Sequence, residues 1–299
     1  MTGPHQQGKG TTYLEKGRSS STAWGVALAR AAHVRFHDPP PIFDDSLAFE
    51  LVDPEIQPMI ERYAPSDEIP PELHGARAYL PFRQHYQEER LAAAYERGVR
   101  QYVVLGAGLD SYAFRQPASR RDLVIFEIDF PATQREKRAR IEALAWAWPE
   151  NLVFAACDFE NESLIEALDR SSFDRDQPSY FAWMGVTVYL ARDTVRQTLE
   201  EVRSIAAQGS SIAFEYALPT ESLQGTDRVA RDYSLAADNR KREPFVTFFE
   251  SEDIPTLARE AGWERVALLD HEAAAARVLA GRRDRLSIHH GLRLAEAFR

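Results

Sequence analysis

The apolar positions of this chain change texture near residue 100. Upstream they recur at helical spacing. Ser21 to Val34 is alanine-rich behind a Ser/Thr cluster suited to capping and predicts a helix. Pro39-Pro40-Pro41 breaks the chain, and Phe43 to Leu51 resumes as a short helix. Pro70-Pro71 breaks it again, and Ala76 to Arg97 predicts a long helix. From Gln101 onward the apolar residues fall into short runs. Gln101 to Leu105 ends in Gly106-Ala107-Gly108, Leu123 to Ile128 ends at Asp129, and Leu152 to Ala156 leads into Asp158. Ser179 to Trp183 and Ser211 to Tyr216 follow, then two final runs, Arg265 to Leu269 and Leu286 to Leu292. Helices are expected over Pro131 to Trp146, Thr194 to Ala207 and Glu252 to Ala261. The first has proline at its first position, and the other two are followed by Gly209 and Gly262.

Short apolar strands alternating with helices predict an α/β fold with a doubly wound, mostly parallel seven-stranded sheet. The last two strands have little helix expected between them, so one strand of the sheet is expected to run antiparallel. The division expected is a flexible arm over 1–20, a helical cap region over 21–98 and an α/β core over 99–299. Residues 219–250 are polar and carry no strand pattern. They read as an insertion after the fifth strand, placed where a lid could lie.

Composition narrows the function. The 299 residues are 44% hydrophobic and 27% charged, enough for a large core. No apolar run is long enough for a membrane span, and the polar start of the chain has no signal-peptide core. The net charge of −10 argues against nucleic acid as a partner, because phosphate contacts need clustered Lys and Arg. Arg135, Lys137, Arg138 and Arg140 have helical spacing and read as a solvated face. The single cysteine, Cys157, excludes an internal disulfide framework and a cysteine-based zinc site, and fits a reducing cytoplasm. No metal-binding spacing is present, so no metal is expected.

Three strand ends carry candidate chemistry, and in doubly wound sheets ligands bind at the carboxyl ends of strands. Gly106 and Gly108 allow a tight turn and close approach of a ligand. The dinucleotide fingerprint asks for a third glycine where this chain has Ser111, which disfavours a pyrophosphate turn. Asp129 lies about twenty residues further on, where an acid can accept from both ribose hydroxyls; it could equally cap the helix at Pro131. Asp158 could accept from an adenine amine with Phe159 over the ring, or cap a helix beginning near Ser163. Glu127 should point to the other face of its strand, toward the N-terminal helices or a second ligand group. The combination describes an adenosine site without a diphosphate.

These residues resemble the leucine carboxyl methyltransferase family. The likeness runs through Gln101-Tyr-Val-Val-Leu-Gly-Ala-Gly-Leu-Asp-Ser-Tyr-Ala-Phe-Arg115, Phe126-Glu-Ile-Asp-Phe-Pro-Ala-Thr-Gln134 with Lys137, and Gly185-Val-Thr-Val-Tyr-Leu190. Upstream it takes in Ser21-Thr22-Ala23, Arg30-Ala31, Asp44-Asp45 and Phe82-Arg83. It implies a class I methyltransferase fold with S-adenosyl-L-methionine as methyl donor. By that resemblance Gly106, Ala107 and Gly108 approach the methionine portion, Asp129 holds the ribose, and Asp158 and Phe159 hold the adenine. Arg83 would bind the cofactor carboxylate and lie near the acceptor, and Tyr189 would stand beside the acceptor. Many relatives carry a glutamate just before the Gly-Val-Thr-x-Tyr-Leu segment. Trp183 and Met184 stand there in this chain, so the pocket is expected to be more apolar at that point.

The expected activity is therefore O-methylation of a carboxylate or hydroxyl on a small molecule, such as a specialised metabolite, or a peptide. Methyl transfer from a sulfonium mainly needs the acceptor positioned. A carboxylate is already ionised at pH 7, whereas a phenol or alcohol benefits from a base. His33, His37, His74 and His85 are the candidate bases, each also readable as structural; His289-His290 reads as structural within the last strand. Arg83 could instead be a surface ion pair on a charge-rich helix. Trp24, Tyr79, Tyr233 and the Phe245 to Phe249 cluster could line an acceptor pocket or simply pack the core. Two other readings remain: an NAD-dependent oxidoreductase, and a catalytically silent adenosylmethionine-binding protein.

Overall fold

The computed structural model describes residues 21–64, 76–158, 162–236, 244–284 and 286–299. Seven strands form one sheet: β1 (Gln101–Leu105), β2 (Val124–Asp129), β3 (Leu152–Ala156), β4 (Ser179–Trp183), β5 (Ser211–Ala217), β6 (Arg265–Leu268) and β7 (Leu292–Phe298). Their order is β3-β2-β1-β4-β5-β7-β6. Pairs among β1 to β5 are parallel, and β7 runs antiparallel to both β5 and β6. The order reverses between β1 and β4, which places the topological switch point beside Gly106.

Alternation along the strands sends residues to two cores. Val103, Leu105, Phe126, Ile128, Phe181, Trp183, Ile212 and Phe214 pack on α6 (Leu164–Asp169), α7 (Arg192–Ile205) and α9 (Ile254–Glu260). Tyr102, Val104, Ile125, Tyr180 and Ala213 face α3 (Ala76–Glu96) and α10 (His271–Leu279). A separate small core joins α1 (Ser21–Phe36) and α2 (Ala48–Leu51), and Leu109 packs against it from the loop after β1. The N-terminal helices are thus seated directly on the first strand end.

The last strand is displaced from expectation. It occupies Leu292–Phe298, not Leu286 to Leu292, so His289 and His290 precede it. Its Ala-Glu-Ala stretch has low strand propensity, but pairing on both sides overrides that. Buried Glu296 accepts from Arg90 Nε of α3 at 2.6 Å. A helix also separates the two final strands: α10 is capped by Asp270, whose side chain accepts from Ala273 N–H. The helix after β2, α5 (Pro131–Ala143), ends before Trp146. The insertion after β5 holds a 3-10 turn at Thr220–Ser222, helix α8 (Gly225–Ala236) and a stretch without regular structure over 244–250. The arm over 1–20, Pro70-Pro71, His74 and Phe159 lie outside the described residues.

Candidate functional site

The carboxyl ends of β1, β2 and β3 bring the glycine turn and the acids together. Gly106 and Ala107 donate their N–H groups to Ile128 O at 2.9 and 3.1 Å, closing the turn against β2. Gly106 and Gly108 both have left-handed backbones, φ +70° and +50°. A Cβ on Gly106 would come within 2.6 Å of Val186 Cγ2, and one on Gly108 within 3.2 Å of Ala23 Cβ. Both glycines therefore admit close neighbours: the segment after β4 and the start of α1.

Asp129 lies at the end of β2, half-buried. Its carboxylate accepts from Gly108 N–H at 2.5 Å and from Phe130 N–H at 2.7 Å. Burial raises its pKa, opposed by those two backbone donors. The N-cap residue of α5 is Phe130, with no side-chain cap, so Asp129 fastens the glycine turn in place of capping the helix. Asp158 stands at the end of β3, and its N–H donates to Glu162 Oε1. The α6 cap is Ser163, paired with Glu166 in a capping box, so Asp158 is not the cap either.

Residues 109–115, which include the short helix α4 (Tyr112–Arg115), hold the N-terminal helices. Arg30 Nε donates to Asp45 Oδ2 at 2.7 Å, and its Nη2 donates to Leu109 O. Ser111 Oγ donates to Asp45 Oδ1, and Arg115 Nη2 donates to Glu88 Oε1 at 2.6 Å. Gln84 reaches Asp110 Oδ2 at 3.0 Å. Most of these groups are buried, which makes the network costly to break.

One charge, Lys137, departs from expectation, and the burial of another, Arg83, excludes the surface alternative for it. Lys137 is not on a solvated face: it is buried, donating to Glu127 Oε2 at 2.5 Å and to Asp110 O at 2.6 Å. Glu127 therefore pairs with α5 through Oε2, while its Oε1 is buried with no partner among the described residues. Burial lifts its pKa to about 7 against the pull of Lys137. Arg83 is likewise no surface pair. Its Nη1 donates to Glu215 Oε2 on β5 at 2.9 Å, and Tyr79 OH donates to Glu215 Oε1 at 2.7 Å. Arg83 Nε is buried with no partner among the described residues. A Cβ on Gly185 would meet Arg83 Nη1 at 2.8 Å, so the guanidinium rests on the residue after Met184. The end of β4 thus carries the apolar Trp183 and Met184, with the Arg83 guanidinium against the glycine that follows. Sequence reasoning missed Glu215, although its signal was visible: a carboxylate inside an apolar strand needs a buried partner.

Tyr189 ends the 3-10 turn Thr187–Tyr189 and packs edge-on to Phe245 at 5.6 Å. Arg231 of α8 is buried beneath Phe245 and Phe248, at 5.7 and 5.4 Å from their rings, and holds Leu218 O and Gly291 O. Tyr79 stacks obliquely on His289 at 5.3 Å. Among the other aromatic candidates, Trp24 packs with the α1 core, Phe249 is buried in the main core, and Tyr233 is 63% exposed.

His33 and His289 each use a ring nitrogen as a backbone acceptor. His33 Nε2 accepts from Ile42 N–H, and burial lowers its pKa to about 4. His289 Nδ1 accepts from Gly291 N–H at 2.9 Å, and burial takes its pKa to about 4. A ring nitrogen that accepts a backbone N–H cannot also take a substrate proton. His85 is also lowered by burial, and its charged neighbours are Glu89 and Arg277.

Comparison with known proteins identifies the family of the chain. The model of the leucine carboxyl methyltransferase family matches residues 23–203. YktD of Bacillus subtilis (strain 168), whose name places it among S-adenosyl-L-methionine-dependent methyltransferases, is 31% identical over 83% of this chain and 88% of its own length. A Mycobacterium avium (strain 104) protein named in the same class is 27% identical over 82% and 83%. Two solved structures share the fold. A duf574 family protein from Streptomyces avermitilis MA-4680 has TM-score 0.54 and 17% identity over 76% of this chain and 86% of its own. A protein from Thermobifida fusca YX, described as a methyltransferase, has TM-score 0.54 and 16% identity over 91% and 94%.

Proposed function

The chain belongs to the leucine carboxyl methyltransferase family and is an S-adenosyl-L-methionine-dependent methyltransferase, and from that premise we propose that it methylates an oxygen, foremost a carboxylate, of a small molecule or peptide. The observation that carries this reading is Arg83 at the carboxyl end of the sheet, a buried guanidinium that pairs with Glu215 through Nη1 and whose Nε has no partner among the described residues. Such a group suits an anionic oxygen ligand.

The residues fit the cofactor. In this reading Gly106, Ala107 and Gly108 face its methionine portion. Asp129 takes the ribose hydroxyls, using the acceptor capacity left beyond its two backbone donors. Asp158, with Phe159, takes the adenine. The bound cofactor supplies a methyl group activated on a sulfonium. Arg83 orients the acceptor end of the site and Tyr189, packed on Phe245, fixes one wall of it. The segment over 219–250 acts as the lid, with buried Arg231 anchoring it to the sheet through Leu218 and Gly291. No described helix is long and apolar enough to cross a membrane, and we place the enzyme in the cytoplasm.

The test is transfer of an isotopically labelled methyl group to a panel of carboxylic acids, phenols, alcohols and peptides, followed by mild base. Label released by base marks a carboxyl ester and supports the reading. Base-stable label on oxygen shifts it to a hydroxyl acceptor. Label found only on nitrogen, carbon or sulfur overturns it. Binding of S-adenosylhomocysteine with no transfer to any acceptor favours a silent binding protein.

A further inference from the structure

A cleft of about 300 Å³ lies between α3 and the outer strands β6 and β7. The strand register explains the space. Glu296 stands opposite Ala213 of β5 and Ala267 of β6, so two small side chains flank its carboxylate on one face of the sheet. Two residues along on that face, Arg265 stands opposite Phe298. Tyr86 and Arg90 of α3, with Arg97 just beyond its end, form the other wall. The cleft is remote from the glycine turn: Phe298 pairs with Ser211, the first residue of β5, whereas Gly106 follows the carboxyl end of β1.

Glu296 is 1% exposed. Its Oε2 accepts from Arg90 Nε, and its Oε1 is buried with no partner among the described residues. A buried carboxylate oxygen without a donor is costly, so this atom calls for one. The guanidiniums around it call for the opposite. Arg265 lies over the Phe298 ring at 3.6 Å. Stacking occupies the flat face of a guanidinium and leaves its N–H edge, held in one orientation, for an oxyanion. Neither Arg97 nor Arg265 makes an ion pair among the described residues. Asp270 also lines the cleft, but its side chain caps α10. Three arginines against two carboxylates leave a surplus of one positive charge.

We propose that this cleft is a second binding site, for a small hydroxylated oxyanion. The carboxylate or phosphate of the ligand lies on Arg90 and Arg265, and its hydroxyl donates to Glu296 Oε1. Such a ligand cancels the surplus charge and supplies the missing donor together. A simple anion does only the first, and a cation does only the second while adding to the surplus.

The test is an NMR titration of the full chain, followed on arginine Nε–H signals, with two matched pairs of probes: lactate against propionate, and glycerol 3-phosphate against propyl phosphate. Wild type should bind the hydroxylated member of one pair roughly ten-fold more tightly, as for a hydrogen bond to a charged group. The pair that does so identifies the oxyanion as carboxylate or phosphate. Arg265→Ala should weaken both members of that pair by roughly ten-fold. Glu296→Leu should keep anion binding and lose the preference for the hydroxyl. Arg265 is exposed, so its variant tests the cleft even where Glu296→Leu fails to fold. No binding of any probe by wild type, equal affinity within both pairs, or wild-type affinity in Arg265→Ala overturns the proposal. An altered affinity of Arg265→Ala for S-adenosylhomocysteine would make the cleft part of the methyl-transfer site and overturn its standing as a second one.

Discussion

Gly106→Ala separates the two demands that the turn after β1 places on its first glycine. At φ +70° an L-residue pays about 1–2 kcal/mol for the left-handed backbone. The new methyl group also sits 2.6 Å from Val186 Cγ2, and forced overpacking of this kind costs about 1–3 kcal/mol. The sum is about 2–5 kcal/mol. Gly281 supplies the control, because its φ of +75° is similar and nothing lies within 4 Å of its virtual Cβ. Gly281→Ala should show the backbone cost alone. Val186→Ala combined with Gly106→Ala should recover about 1–3 kcal/mol relative to additivity, since the double variant removes the clash. The assay is chemical denaturation of the four single and double variants alongside wild type. The reasoning fails if Gly106→Ala costs no more than Gly281→Ala, or if the double variant is additive.

Other expectations follow from the buried charges. Lys137→Met leaves Glu127 unpaired and should destabilise by about 3–5 kcal/mol, whereas Arg35→Ala at the exposed Arg35–Glu61 pair should cost about 0–1 kcal/mol; denaturation midpoints compare them. Glu127 has its folded pKa raised from 4.5 to about 7, so its contribution is fully present below pH 4.5 and lost as pH rises through about 7. Wild type should lose stability relative to Glu127→Gln across that window, and a constant difference would refute the assignment. His271 accepts from Leu294 N–H, and burial lowers its pKa from 6.5 to about 3. Its contribution is present above pH 6.5 and lost as pH falls toward about 3, so its ring should stay neutral by NMR at pH 5.

Much of the sheet was legible because β1 to β5 are short apolar runs, the first four ending in or followed within two residues by glycine or an acid. The strand ends displayed Gly106, Asp129 and Asp158 for the same reason. What stayed hidden depended on contacts distant in sequence. Leu292–Phe298 reads poorly as a strand, yet pairing on both edges makes it one. Lys137 looked solvated beside Arg135, Arg138 and Arg140, and only the crossing of α5 over β2 brings it to Glu127. Helix α10 had its signal in sequence, Asp270 ahead of an alanine run, but the short spacing of the last strands masked it. Arg83 was placed by family resemblance, while its partner Glu215 lies 132 residues away and emerges only from the packing of α3 on β5.

The account turns on Asp129, which holds the glycine turn and is assigned the ribose. Titration calorimetry of S-adenosylhomocysteine into wild type and Asp129→Ala tests it most directly. Binding by wild type, weakened in the variant by about 1–3 kcal/mol, is the predicted result. Equal affinity in the two proteins would show that Asp129 serves only the turn, and would contradict the account.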